Sequence, residues 1–152
     1  MKLLCALGFA AMVATMVAGC SHTMALPPGF VQLGSCDARG DYLVRGISAD
    51  KAVVALEQHP NPKNGTLEFW VHAMKDEMKT GRGYELSNEE NVTSQSGQTG
   101  HMMTFKQESQ DMRYVVCVYV DWQTVLVAQA GGKTAAIEPR MNDIRQAMLS
   151  AR

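Results

Sequence analysis

Four cysteines, four histidines and eleven methionines are the side chains of this 152-residue chain best suited to chemistry. Their spacing supports little of it. His22, His59, His72 and His101 are dispersed, with no His-Glu-x-x-His pair for zinc and no Gly-x-Ser-x-Gly turn for a nucleophile. Asp76-Glu77 and Glu89-Glu90 read as solvated charge, with no separation that would make them an acid and a base. Gly131-Gly132-Lys133-Thr134 has the end of a phosphate-binding loop, but the glycine needed five positions before Gly132 is Val127. His101-Met102-Met103, beside a segment carrying Met74 and Met78, offers imidazole and thioether, a set that suits cuprous copper. Against it, Met102 and Met103 point to opposite faces of a strand, and Met74 and Met78 fall where methionine is core filler. No catalytic residue, metal ligand or cofactor is therefore assigned. Trp122 is the last residue of interest. It follows Asp121 at an expected hairpin tip, where packing back onto the sheet is the favoured expectation and an offered interaction aromatic the other.

The cysteines separate by position. Met1-Lys2 gives one positive charge, and Leu3–Val17 is an apolar run broken by Gly8 and Thr15. Such a run reads as a signal peptide. At 1.5 Å per residue it would span about 22 Å, short of a roughly 30 Å hydrocarbon core. It ends in Val17-Ala18-Gly19-Cys20, which resembles the bacterial lipoprotein lipobox. The resemblance implies that residues 1–19 are removed and that Cys20 is lipidated and becomes the first mature residue. Ser21 after the cysteine implies sorting to the outer membrane, with the domain in the periplasm. Residues 20–29, containing Pro27-Pro28, are expected to form a short lipidated tether, and residues 30–152 one domain.

Cys5 would leave with the signal, so Cys36 and Cys117 remain, 81 positions apart in a compartment that permits disulfides. A bridge would contribute about 4 kcal/mol by loop closure. Alternatively, Cys117 is a small buried hydrophobe in its valine-rich strand and Cys36 a free thiol in a turn. The formal charge of -1 offers no basic excess for nucleic acid, and 46% apolar residues is too many for a disordered chain.

The elements that would position these residues follow from periodicity. Short strands are expected at Phe30–Leu33, Tyr42–Val44 and Ala52–Leu56, with a turn over Gly46–Asp50 and a loop over His59–Gly65. Leu67, Trp70, Val71, Met74 and Met78 lie on one face of a helix of about fourteen residues, with Gly81 placed as a left-handed cap. Strands follow at about 84–94, 101–107, 112–120 and 124–130. The 112–120 segment is apolar on both faces and should be central. Gly131-Gly132 should end the last strand. Ile137, Met141, Ile144 and Met148 mark a second helix, starting near 136–138 because Pro139 fits only a first turn. The order β-β-β-α-β-β-β-β-α predicts an α+β fold: an antiparallel sheet of about six strands, flanked by two helices in a three-layer α/β/α sandwich.

The element order, Leu67-Glu68-Phe69-Trp70 at the helix start, Gly83-Tyr84, Ala130-Gly131-Gly132 and the terminal amphipathic helix resemble the PsbP-like superfamily, which includes DcrB-like bacterial lipoproteins. The resemblance covers about residues 30–150. It implies the three-layer fold and an accessory or binding role in the envelope, and it carries over no catalytic residue. The expected function is a membrane-anchored binding or accessory module with an envelope protein as partner. A copper-binding envelope lipoprotein or a small envelope hydrolase is the alternative.

Overall fold

Alternating apolar residues build a single sheet. In the computed structural model, which describes residues 22–34 and 42–152, seven strands pair antiparallel throughout. They are β1 (Phe30–Gln32), β2 (Val44–Ser48), β3 (Val53–Pro60), β4 (Glu85–Thr93), β5 (Thr99–Gln107), β6 (Met112–Val120) and β7 (Thr124–Lys133). Their order across the sheet is β1-β2-β3-β7-β6-β5-β4, so the last strand returns to the middle and joins an early ladder to a late one. Helix α1 (Leu67–Asp76) covers one face, over β5 and β6. Helices α2 (Thr134–Ile137) and α3 (Met141–Leu149) cover the other. The fold is the expected α+β sandwich, with seven strands rather than about six.

Period two sorts each strand into two cores. On β6, Val115, Cys117 and Tyr119 join the core under α3, with Leu56, Leu126, Ile144 and Met148. Val116 and Val118 join the core under α1, with Met78, Met103, Phe105 and Val127. These β6 side chains are almost wholly buried, as a doubly covered central strand requires. At one margin β4 is mostly exposed and carries Glu85, Glu89 and Glu90, charges that discourage pairing with another chain.

Several expectations are corrected, each for a packing reason. The turn expected at Gly46–Asp50 sits later, with Lys51 in the left-handed region (φ 67°). Gly46 stays within β2, because the Leu26 side chain fills the space a Cβ would take, 2.8 Å from that position. β3 runs through His59 and Pro60, which pair with Val125 and Thr124. Gly81 does not form the left-handed cap. The chain widens into a π turn over Glu77–Gly81, and the positive φ (70°) falls on Gly83. This turn keeps Met78 in the core and lets its carbonyl accept from the Tyr84 N–H at 2.9 Å. Gly131-Gly132 does not end β7, which continues to Lys133. A Cβ on Gly131 would come within 2.9 Å of the Tyr114 ring, and one on Gly132 within 3.1 Å of the Ala52 backbone, so these glycines serve close approach inside the sheet. The terminal helix starts at Thr134 and is interrupted by a 3₁₀ turn at Glu138-Pro139-Arg140 before α3.

The expected tether is also corrected. From Thr23 the chain is docked: Thr23 and Arg152 exchange backbone hydrogen bonds at 2.8 and 3.1 Å, and the Ala25 N–H donates to Ser150 Oγ at 2.8 Å. Met24 is buried in the α3-side core, where its side chain is worth more than as part of a free leash. No helix among the described residues is long and apolar enough to cross a membrane.

Candidate functional site

α1 leaves a groove beside it on its own face of the sheet. The floor comes from odd-numbered positions of β3 and β7, where Glu57, His59, Val125, Val127 and Gln129 all point to that side. The wall comes from Trp70 and Met74 of α1, and the groove has a volume of about 650 Å³. It continues into a shallower recess of about 230 Å³ at Arg45, Ala55 and Gly131, with Tyr42, Arg82, Tyr114 and Gln129 shared between the two.

Along this floor runs a chain of polar side chains. Tyr114 donates its hydroxyl to Gln129 Oε1, Gln129 donates through Nε2 to Glu57 Oε1, and Glu57 Oε2 meets His59 Nε2 at 3.0 Å. Burial pushes the Tyr114 phenol up to about 12, with the Arg82 charge opposing, so it remains a neutral donor at ordinary pH. The Arg82 guanidinium pairs with Glu77 at 3.3 Å, and the Arg45 guanidinium lies 5.2 Å from the Tyr42 ring centre. The internal bonds occupy Tyr114 and Gln129. What the groove presents outward is the half-exposed His59 ring, the rim of arginines and an aromatic-aliphatic wall. Such a surface suits an apolar body carrying a polar end. Glu57 and Gln129 did not stand out in the sequence. Gln129 is a lone polar residue inside the apolar run of β7, an interruption that could have marked it, whereas Glu57 begins the polar end of β3 with Gln58 and His59 and carries no such signal.

Other residues singled out from the sequence are placed as follows. Cys20 and Cys36 lie outside the described residues. Cys117 is a free, fully buried thiol, and burial pushes it up to about 12, against a hydrogen bond with Tyr119. Met102 faces the α3-side core, while Met103, Met78 and the partly buried Met74 share the α1-side core, so Met102 is parted from the other three methionines of the copper set. His101 has both ring nitrogens engaged, Nδ1 with Asn91 Oδ1 at 2.7 Å and Nε2 with Glu89 Oε2 at 2.9 Å. The Lys75 ammonium, 2.5 Å from Glu89, and then His101 hold the Glu89 carboxyl below its ordinary value. No group of three His, Cys, Asp or Glu side chains is set to hold a metal ion among the described residues. His72 is exposed on α1, and Lys133 donates to the Gln110 carbonyl at 2.6 Å from the end of a strand.

Trp122 is not folded back onto the sheet. It is 73% exposed at the β6–β7 turn, which corrects the favoured expectation. Asp121 fixes that turn: its Oδ1 accepts from the N–H groups of Gln123 (2.7 Å) and Thr124 (2.6 Å), and its Oδ2 from the Thr124 hydroxyl (2.8 Å). A turn closed on its own aspartate leaves the intervening indole pointing outward.

No family model matches the chain, and no curated protein matches it. Solved structures do. The cyanobacterial PsbP protein CyanoP from Synechocystis sp. superposes with a TM-score of 0.61 at 12% identity, over 86% of this chain and 85% of that one. The protein of unknown function PA94 from Pseudomonas aeruginosa superposes with a TM-score of 0.57 at 11% identity, over 80% and 78% of the two chains. At such identities the likeness is one of fold, and the fold is PsbP-like.

Proposed function

We propose that this chain is a bacterial envelope lipoprotein, anchored through acylated Cys20, whose domain acts as a binding or accessory module and not as an enzyme. Within PsbP-like proteins we place it with the DcrB-like lipoproteins, on the periplasmic side of the outer membrane. The lipobox at Val17–Cys20 and Ser21 supports the anchoring and the sorting. The observation that carries the binding role is the groove beside α1. Its polar groups are bonded into a fixed chain from Tyr114 to His59, an arrangement that orients a bound surface. The occupant fits as a protein segment with an apolar side chain against Trp70 and Met74 and a polar group against His59.

Photocrosslinking in intact cells tests this. A photoreactive residue at position 59 should give a discrete protein adduct, and the same residue at exposed position 142 on α3 should give none. Equal labelling from both positions, or turnover of a substrate that is lost with Glu57→Gln, would overturn the reading.

A further inference from the structure

We propose that one end of the sandwich lies on the lipid bilayer, with the indole of Trp122 inserted at the headgroup level and Phe69 beside it. The proposal rests on the reading of Cys20 as acylated, and it adds the orientation of the domain and the residue that touches the lipid.

Register places the relevant segments together. Gly100 pairs with Tyr119, so the β4–β5 and β6–β7 turns share one end of the sheet. Pro60 pairs with Thr124, which brings the loop before α1 to the same end. Asn61 fastens it there, accepting from the Trp70 indole N–H (3.2 Å) and donating to the Asp121 carbonyl (2.9 Å). Phe69, 58% exposed, sits against this loop at Gly65. The C-terminus of α3 is at this end as well, since the Gln95 N–H donates to the Leu149 carbonyl (2.7 Å) and the Tyr119 hydroxyl to the Met148 carbonyl (3.1 Å).

The amino-terminal segment comes to the same place. Thr23 is bonded to Arg152, and Thr23 and Met24 line one recess with Gln95 and Ser96 of the β4–β5 turn. Cys20 precedes His22 by two residues, a span of at most about 7 Å. An acyl group there therefore sets this end of the sheet, with the Asp121–Gln123 turn, toward the bilayer. The amphipathic indole is the side chain that membrane interfaces favour, and Asp121 already holds it outward. Among the described residues Trp122 is the most exposed of the large hydrophobic side chains.

The test uses the full acylated protein in vesicles of phosphatidylethanolamine and phosphatidylglycerol with brominated acyl chains, which quench tryptophan on contact. Trp122 and Trp70 are the two tryptophans, so Trp70→Phe reports Trp122 and Trp122→Phe reports Trp70. Trp122 emission should shift to the blue and fall about twofold, as expected of an interfacial indole, while Trp70 is unchanged. The wild-type spectrum minus that of Trp122→Phe gives the same answer should Trp70→Phe fold poorly. Acylated protein that floats with the vesicles while Trp122 stays unquenched overturns the orientation and leaves the anchor standing. Trp122 shielded by a protein partner in cells, with no quenching in vesicles, overturns it equally. A chain that neither floats nor carries an acyl mass at Cys20 refutes the anchor, and the orientation falls with it.

Discussion

Replacing Asn61 by alanine tests the reasoning that ties the groove to the Trp122 turn. Asn61 is 3% exposed, and its amide makes four hydrogen bonds. Nδ2 donates to the carbonyls of Gly65 (3.0 Å) and Asp121 (2.9 Å), while Oδ1 accepts from Gly65 N–H (2.8 Å) and the Trp70 indole (3.2 Å). Each such bond contributes about 1 kcal/mol net, and a buried group left without a partner costs somewhat more. Water can reach part of this loop after truncation, so Asn61→Ala should lose about 3 kcal/mol rather than the full sum. For a domain of this size that lowers Tm by about 10 °C. Urea unfolding followed by circular dichroism measures the loss, with an unchanged slope showing that the unfolded state is the same. Asn142→Ala on the exposed face of α3 serves as control and should change stability by less than about 0.5 kcal/mol. An Asn61→Ala loss below about 1 kcal/mol would refute the claim that this amide clamps the loop, the α1 start and the β6–β7 turn.

Three further predictions can be checked with the same protein. Gly100→Ala should lose at least about 2 kcal/mol in urea unfolding, because its Cβ would lie 2.5 Å from the Tyr119 ring and 2.9 Å from the Val118 carbonyl. The Cys117 thiol, pushed up to about 12 by burial, should resist alkylation at pH 8 in the folded protein and react within minutes in denaturant; comparable labelling in both states would contradict its placement. Glu90 is held below its ordinary 4.5, first by its hydrogen bonds to Arg145, against some burial. Its contribution to stability is present above pH 4.5 and disappears as pH falls through the lower folded value, so Arg145→Met should flatten the acid limb of the stability profile. An acid limb identical to wild type would show that the pair contributes nothing.

The sheet was legible because its strands alternate cleanly. Val115 to Tyr119 announced a strand covered on both faces, and the α1 stripe from Leu67 to Met78 announced a helix on one of them. The ends of the elements were less legible, since glycine signals both a turn and a close approach. At Gly131 and Gly132 the approach of Tyr114 and Ala52 decides, and neither neighbour is visible from local sequence. Docking of the segment from Thr23 to Leu26 was hidden for a similar reason. Thr23 bonds Arg152, 129 positions away, Ala25 bonds Ser150, and Leu26 packs on Gly46. The groove was the least legible feature, because Tyr114, Gln129 and Glu57 stand on three strands that meet only when β7 inserts between β3 and β6. Trp122 could be located but not oriented, because the Asp121 side chain turns its capping bonds inward and leaves the indole out.

The anchor is the claim on which the rest of the functional reading depends, and intact mass spectrometry of the chain extracted from cell membranes tests it most directly. The mature chain should begin at Cys20 and carry the added mass of a diacylglycerol, with Cys20→Ala retaining its signal and lacking that mass. A mature chain that begins at another residue, or at an unmodified Cys20, would contradict it.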